Sequence, residues 1–492
     1  MGSLSAERAR VAQITGRALD SMTASSTRAF QPLLPTLRAE YNSELPTGGN
    51  DGALWAGRGL STSISGGFSY QRHLGGRMLV LRLEPELTVS ANRPFQVVPG
   101  REPGRSPFSS PFHLGDMSAD LPLRFGDRSI RTVGLGHSSI TYTTGRVAFG
   151  AASTNEWWGP ALRNTLLLSN NAAGVPRLFA RTPRPIATRY GNFEGRAFIG
   201  GLTESPYFDS ESSNDVRSLS GLLVTYRPAI DTGLTIGLSR LVVAPVSSAP
   251  AVLPHLLDAL VRFEAIGGSN DTTATGEIAQ STDQLFALFA RWVFPESGFE
   301  TWAEWSRMEL PRSFRQYLEI PQHTQGYTLG LQWANTLAND RHFRLQTEVT
   351  YLEQTQVVAD RPTRDYYTGR AAVQGFTQRG QILGAAIGPG SSSQYAGADW
   401  MARLWQAGVF AGRIRSENDA IYREGGARNT QHDVTVYAGV RAGARIPRAD
   451  VSASLTRGRR LNYLHQSLYY IGSPVVASDF RNTTFTMAVA PR

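Results

Sequence analysis

Residues 342–353 read HFRLQTEVTYLE, and apolar and polar side chains alternate along this stretch. In an extended chain, one face then carries the apolar residues Phe343, Leu345, Val349 and Tyr351. The opposite face carries the polar residues Arg344, Gln346, Glu348 and Thr350. A period of two predicts a β-strand with one apolar and one polar face.

The same alternation recurs throughout the chain, and stretches rich in Gly, Pro, Ser, Asn and Asp separate the repeats. About fourteen segments show it, and weaker ones are expected to hide a few more strands. The segments lie near residues 57–70, 78–91, 138–151, 188–202, 218–228, 232–243, 283–295, 299–309, 327–333, 342–353, 400–414, 434–442, 450–457 and 482–490. The pattern predicts one large all-β unit rather than several domains.

A soluble sandwich or propeller and a transmembrane barrel both show this pattern, and strand length helps to separate them. Several segments reach ten residues or more, which is the length that a tilted strand needs to cross a bilayer. Aromatic residues such as Tyr327 and Trp333 lie at the ends of an apolar row, as in the interfacial girdles of barrels. The favoured fold is an all-β, transmembrane antiparallel β-barrel of about 16–18 strands with long loops.

Composition excludes other classes of protein. The chain of 492 residues has 41% hydrophobic residues and no cysteine, so disulfide frameworks and thiolate metal sites are excluded. All 49 residues counted as Lys or Arg are arginine, and the formal net charge is +9. The arginines are spread along the chain, which argues against a nucleic-acid partner. They reflect either GC-rich codon usage or recognition of acidic surface glycans by guanidinium groups.

We expect two parts in the chain. Residues 1–50 are predicted to form an N-terminal periplasmic segment with a short helix, in which Val11 and Ile14 share one side. Residues 51–492 are predicted to form the outer-membrane barrel. Because residues 1–10 lack an apolar core, the signal peptide that export requires is expected not to be present in this chain.

The sequence offers little for catalysis or cofactor binding. No Gly-x-Ser-x-Gly motif occurs, and the eight histidines show no His-x-x-x-His spacing, so no metal site or cofactor is predicted. Glu300 and Glu304 share a strand face roughly 13 Å apart, farther than the paired carboxylates of glycosidases. Trp302 lies between them as a candidate stacking surface for a sugar. We therefore expect a protein that is not an enzyme.

A more specific signal is the segment NEWWGP at residues 155–160. It is followed by Arg163-Asn164, by LLLSNNA at residues 166–172 and by Pro176. This combination resembles the signature of the Wzi capsule-assembly family of bacterial outer-membrane proteins. Further similar stretches are residues 7–16, 121–127, 184–186, 191–195 and 379–389. The resemblance covers nearly the whole chain.

The resemblance implies an 18-stranded barrel in the bacterial outer membrane, a small periplasmic helical element, and a lectin that holds capsular or exopolysaccharide without catalysing a reaction. Two features depart from the family pattern. The helical element is short, and Gly390-Ser391 stands where members often carry an acidic residue.

Two interpretations of the signature stay open. Its tryptophans, arginine and asparagines could bind sugars, or they could fix a turn and cap loop backbone; residue type slightly favours the structural role. The candidate glycan contacts are Glu156, Trp157, Trp158, Gly159, Pro160, Arg163, Asn164, Ser169, Asn170, Asn171, Trp302, Arg361 and Arg364.

The sequence thus predicts a monomeric lectin-like barrel whose partners are capsular polysaccharide or exopolysaccharide and outer-membrane lipid, including lipopolysaccharide. The alternative is a diffusion channel, a porin, with an arginine-lined lumen for anionic solutes. If the polymer is acidic, the loop arginines 101, 105, 361 and 364 are expected to contribute most of the binding.

Overall fold

The computed structural model describes ten stretches of the chain. These are residues 4–15, 29–98, 104–113, 118–261, 281–308, 314–337, 341–354, 364–423, 431–466 and 478–492.

Twenty-one strand segments form one antiparallel sheet, in which each barrel strand pairs with its neighbours along the chain except where the barrel closes. The first nine segments are β1 Phe30–Asn42, β2 Gly59–Leu74, β3 Arg77–Leu83, β4 Glu86–Ser90, β5 Ile130–Gly134, β6 Ser139–Thr143, β7 Ala148–Ala152, β8 Arg177–Arg181 and β9 Ile186–Thr188. The next seven are β10 Gly191–Thr203, β11 Val216–Pro228, β12 Leu234–Val246, β13 Asp283–Phe294, β14 Phe299–Arg307, β15 Gln325–Leu337 and β16 Arg341–Tyr351. A separate small hairpin consists of β17 Thr377–Gln378 and β18 Gln381–Ile382. The last five segments of the large sheet are β19 Ser392–Met401, β20 Trp405–Ser416, β21 Asp433–Ile446, β22 Ala449–Leu461 and β23 Phe480–Pro491.

The sheet closes on itself because β1 pairs with β23 as well as with β2. Three barrel strands are interrupted and contribute two segments each. β3 and β4 pair with the two halves of β2, β5 and β6 pair with β4 and β3, and β8 and β9 both pair with β10. The barrel therefore has 18 antiparallel strands, as predicted.

The two ends of the barrel differ in the length of their connections. At one end the connections are tight turns such as residues 75–76 and 447–448, and β1 starts and β23 finishes at this end. At the other end the connections are long, for example residues 153–176 and 352–391. Outer-membrane barrels place short turns in the periplasm and long loops outside the cell. The long-loop end is therefore the outer end.

Burial along the strands is the reverse of that in a soluble protein. In β16, Leu345 and Val349 expose 42% and 37% of their surface, whereas Arg344 and Glu348 expose 2% each. Apolar side chains thus face outward and polar ones face the lumen. This inversion fits a lipid-facing wall, and it is not expected of a soluble sandwich, whose apolar face is buried.

A charge on the lipid-facing wall is expected to destabilise the barrel according to its depth. Leu345 lies near the middle of β16, so Leu345→Arg should reduce the free energy of unfolding from lipid vesicles by about 2–4 kcal/mol. The matched control is Leu337→Arg at the short-turn end of β15, for which we expect about 0–1 kcal/mol. Urea titrations monitored by tryptophan fluorescence measure both. Equal losses would contradict the assigned wall.

The N-terminal helix α1 (Leu4–Thr15) lies inside the barrel and contacts β13, β14 and β15. Val11 and Ile14 are buried with Ala334 and Met401 of the wall. The Arg8 guanidinium donates to the carbonyl of Ala402 at 2.7 Å. It also donates to the carbonyl of the residue that follows Ala402 in the β19–β20 turn, at 2.6 Å. The helix is therefore fixed at the short-turn end of the lumen.

The other helical elements belong to loops. They are α2 Asp258–Val261, α3 Phe314–Glu319, α4 Asp419–Arg423 and the 3₁₀ turns Ala249–His255 and Tyr463–His465. Among the described residues, none of the helices has the length and apolar character needed to span a membrane.

Three sequence predictions need correction. The barrel begins at Phe30, inside the segment 1–50 that was set apart from it, because Pro32 and a register shift between Leu33 and Thr36 obscure the alternation. The segment 138–151 is a hairpin of two short strands, β6 and β7. The segment 400–414 contains the turn that joins β19 to β20.

Candidate functional site

The loop between β7 and β8, residues 153–176, carries the Asn-Glu-Trp-Trp-Gly-Pro motif and folds into the lumen; we call it the signature loop. Its backbone is held by two buried carboxylates of the wall. Glu304 on β14 accepts hydrogen bonds from the amides of Ala161 and Leu166, both at 2.9 Å. Glu348 on β16 accepts from three successive amides, those of Leu162, Arg163 and Asn164, at 2.6, 3.1 and 2.9 Å.

The first half of the motif is attached to another part of the wall, at β8 and β10. Oε1 of Glu156 accepts from Arg177 at 2.7 Å, and its Oε2 accepts from Arg196 at 3.1 Å. Trp158 is 1% exposed and packs edge-on against Phe198, with ring centroids 5.3 Å apart. The signature loop is therefore anchored to the wall at two separate places, β8–β10 and β14–β16.

The helix α1 also contacts the signature loop. The guanidinium of Arg10 donates to Oε1 of Glu300 at 2.7 Å and to the carbonyl of Pro160 at 3.0 Å. Desolvation by burial lowers the pKa of Arg10, and the neighbouring Glu300 opposes that shift. One arginine thus links helix, wall and loop.

A second loop lies against the first. We call residues 364–391 the inner loop; it includes β17 and β18. The hydroxyl of Ser169 donates to the carbonyl of Gly384 at 2.6 Å, and Nδ2 of Asn171 donates to that of Ile382 at 3.0 Å. The hydroxyl of Tyr367 donates to the carbonyl of Leu166 at 2.7 Å, and burial raises the pKa of this tyrosine well above its usual range. The two loops form one packed unit.

Several side chains that were predicted to contact glycan instead contact other parts of the protein. Trp158 and Trp302 are 1% and 2% exposed, so neither ring offers a face to a sugar in this structure. Asn164 is buried and donates to Oγ of Ser393 at 3.2 Å. Trp157 donates through Nε1 to a carbonyl four residues ahead, at 3.1 Å. In this structure these four side chains make contacts within the protein, and a role for them in sugar binding stays a prediction.

The remaining predicted contacts divide into three groups. The guanidinium of Arg364 is buried and donates to Asp283 at 2.9 Å, and that of Arg105 lies 3.8 Å from the centre of the Phe208 ring. Arg163 and Asn170 are exposed on the signature loop. Arg361 and Arg101 lie outside the described residues.

At the outer end the long loops enclose a cavity of about 270 Å³. The connections that follow β1, β4, β7, β16, β20 and β22 all contribute to it. Its polar and aromatic lining consists of Asp51, Trp55, Phe95, Ser110, Asn171, Gln381, Glu417, Arg460 and Tyr463. Carboxylate, amide, hydroxyl and indole groups therefore converge on one concave surface, as small-molecule and glycan sites require.

Trp55 and Tyr463 are the aromatic side chains of the cavity that carry a polar group. Nε1 of Trp55 is buried but has no hydrogen-bond partner among the described residues. Buried polar atoms are normally satisfied, so this N–H lacks the partner that such an atom usually has. Burial raises the pKa of Tyr463 to about 12, and its hydroxyl therefore stays protonated at physiological pH.

The arginines of the inner wall are paired with carboxylates. Arg344 and Arg441 both contact Asp399, at 2.7 and 2.6 Å. Arg460 contacts Asp433 at 2.7 Å, and Arg415 pairs with Glu353. These four guanidinium groups are neutralised within the protein, contrary to a lumen lined with unpaired positive charge.

Sequence reasoning missed Trp55 and Tyr463, which belong to no motif, and it did not assign the loop-holding roles of Glu304 and Glu348. A partial signal for the glutamates existed, since strand parity places both on the lumen face. Their partners are 143 and 184 residues away in sequence, so spacing alone could not identify them.

The closed wall of 18 strands, its outward apolar face and its inward-folded loops define an outer-membrane β-barrel with an occupied lumen. The family model described as "Capsule assembly protein Wzi" matches residues 56–402. The chain therefore belongs to the Wzi capsule assembly family, as the resemblance of residues 155–172 implied.

Several solved structures are similar to this chain at low sequence identity. Wzi of Escherichia coli, described as an outer membrane protein involved in group 1 capsule assembly and a carbohydrate binding beta-barrel, is 10% identical with a TM-score of 0.55. That match covers 93% of this chain and 84% of the other. OprD of Pseudomonas aeruginosa is 10% identical, with 94% and 93% coverage and a TM-score of 0.41. OccAB2 of Acinetobacter baumannii is 8% identical, with 94% and 98% coverage and a TM-score of 0.44. No curated protein matches the sequence.

Proposed function

We propose that this protein is a monomeric lectin that binds capsular or exopolysaccharide in the outer cavity and holds the polymer at the cell surface without changing it covalently. The observation that carries the proposal is the buried, unpartnered indole N–H of Trp55 on the cavity wall. Membership of the Wzi family supports a carbohydrate ligand, and so does the likeness to the carbohydrate-binding barrel of Escherichia coli.

The cavity favours recognition of hydroxyl groups over recognition of negative charge. Two of its lining residues, Asp51 and Glu417, are acidic, and Arg460 is already paired with Asp433. Arg105 and Arg364 are engaged with other side chains. We therefore propose that the polymer is held by neutral hydroxyl groups, with many weak contacts along a repeating chain supplying avidity.

The lipid-facing wall would contact outer-membrane lipid and lipopolysaccharide. A diffusion channel is the weaker proposal, because α1, the signature loop and the inner loop all occupy the lumen. Current through planar bilayers separates the two functions, since an open channel conducts ions and an occupied barrel conducts little.

Removing the indole N–H of Trp55 while keeping an aromatic ring is expected to weaken glycan binding. Trp55→Phe loses one hydrogen bond, which contributes about 0.5–1.5 kcal/mol. Binding of a short oligosaccharide of the bacterium's own surface polymer should therefore weaken roughly 2- to 12-fold. Calorimetry with purified barrel in detergent, at low and high salt, measures the effect.

The matched control for this experiment is Trp292→Phe, which removes an exposed indole that donates to Asp231 beside a short turn. It should leave oligosaccharide affinity unchanged. No saturable binding by folded wild-type protein would refute the lectin. Strong weakening by salt would instead assign recognition to arginines and an acidic polymer.

A further inference from the structure

Three side chains from three different loops meet beside the outer cavity. They are His113, Asp365 and Glu417, from the connections that follow β4, β16 and β20. Nε2 of His113 lies 3.0 Å from Oε1 of Glu417, and its Nδ1 lies 3.8 Å from Oδ2 of Asp365. One ligand atom from each residue lies within 4.8 Å of the other two.

Hydrogen bonding within the protein does not satisfy this cluster. The His113 side chain is fully buried, yet its Nδ1 has no hydrogen-bond partner among the described residues. Oε2 of Glu417 is also buried without such a partner. Buried polar atoms in native proteins nearly always have a partner or an ion. A group absent from the polypeptide would account for both atoms.

We propose that His113, Asp365 and Glu417 bind one divalent cation of the zinc or manganese type. An imidazole nitrogen with two carboxylates suits these ions, whereas calcium and magnesium prefer ligand sets made of oxygen alone. Ligand atoms in a tetrahedral zinc shell stand roughly 3.4 Å apart, and one atom from each of the three residues lies within 4.8 Å of the other two, so small side-chain movements would close the shell. Three protein ligands leave a position for water.

The cation would cross-link the three loops that carry its ligands. His113, Asp365 and Glu417 are far apart in sequence, and all three of their loops, through Ser110, Gln381 and Glu417, also line the outer cavity. Metal bonds among three loops close long stretches of chain, and such closures contribute most to order when the stretches are long. The bound ion should therefore order the loop ends around the cavity.

Metal binding to the full-length barrel in detergent tests the proposal. After removal of metal with a chelator, wild-type protein should bind one Zn²⁺ per chain in a calorimetric titration, with Mn²⁺ weaker and Ca²⁺ weaker still. Substituting a residue that only orients a metal ligand weakens metal binding about 10- to 100-fold, so loss of a direct ligand in His113→Ala or Glu417→Gln should weaken Zn²⁺ binding at least that much. Zn²⁺ should also slow hydrogen exchange in residues 104–113 and 417–423.

A matched control is available in His255, which contacts a single carboxylate, that of Asp258, at 2.7 Å. His255→Ala should bind Zn²⁺ as wild type does. Heat-modifiable gel migration identifies variants that have folded, and Glu417→Gln serves if His113→Ala does not fold. No stoichiometric Zn²⁺ uptake by wild type, or unchanged uptake in both variants, would overturn the proposal and leave an internal ion pair. The titration contains no glycan, so its result is independent of the proposed lectin function.

Discussion

Replacing Glu304 and Glu348 together by alanine is expected to release the signature loop from the barrel wall. These carboxylates accept hydrogen bonds from the amides of five loop residues, and each exposes only 2% of its surface. A hydrogen bond to a charged group contributes about 1.5–3 kcal/mol. A buried amide that loses its acceptor is further penalised by its desolvation. The loop should then sample open conformations.

Hydrogen exchange at residues 161–166 measures this release. Protection should fall at least about 100-fold, because 1.4 kcal/mol corresponds to a factor of ten and two charge-assisted hydrogen bonds together contribute at least about 3 kcal/mol. Ion current through planar bilayers should rise in parallel. Asp450→Ala is the control, since Asp450 pairs with Arg445 beside a short turn at the other end of the barrel and contacts no residue of the signature loop. Unchanged protection in the double variant would show that packing alone holds the loop.

Substituting Gly159 by leucine is expected to prevent the signature loop from folding against the wall. Gly159 has φ +142°, a backbone conformation that side chains with a Cβ rarely adopt. A Cβ at this position would overlap Oε1 of Glu304 and Oγ1 of Thr165. Strain and overpacking each contribute about 1–3 kcal/mol. We expect Gly159→Leu to lower the free energy of unfolding by about 3 kcal/mol or more.

Urea titration of the folded barrel measures the loss in Gly159→Leu. Gly145→Ala is the matched control, because Gly145 lies in the β6–β7 turn at the other end and an added Cβ meets nothing within 4 Å. The control should be neutral within error. Equal stability of the two variants would mean that the glycine is not required by the loop.

The alternating segments of the sequence predicted the strands well where large apolar side chains face lipid, and each of the fourteen contains at least part of a strand in the structure. The missed strands lack that signal. In β19 the lipid-facing positions include Ala396 and Ala398, which are too small to stand out from their polar neighbours. In β5 the polar Arg131 shares the outward face with Val133, and in β8 the apolar Phe179 shares the inner face with Arg177, so neither segment alternates cleanly.

The candidate site was less predictable than the fold. Residues 155–172 were recognised as a family signature, but their role follows from contacts with carboxylates on β14 and β16. Trp55 and Tyr463 come from separate loops that converge only in three dimensions. Strand parity indicates which side chains share the lumen, whereas the path of a long loop depends on packing that no local pattern encodes.

The pairing of β1 with β23 also has a consequence for biosynthesis. Every other ladder of the barrel joins segments that are close in sequence, but this one aligns Leu37 with Val489. Joining positions so far apart requires the greatest loss of chain entropy. A polypeptide that ended before Phe480 would keep the exposed edges of β1 and β22, and such edges aggregate. Only a chain that includes the last strand can therefore form a closed wall, so barrel closure distinguishes full-length chains from truncated ones.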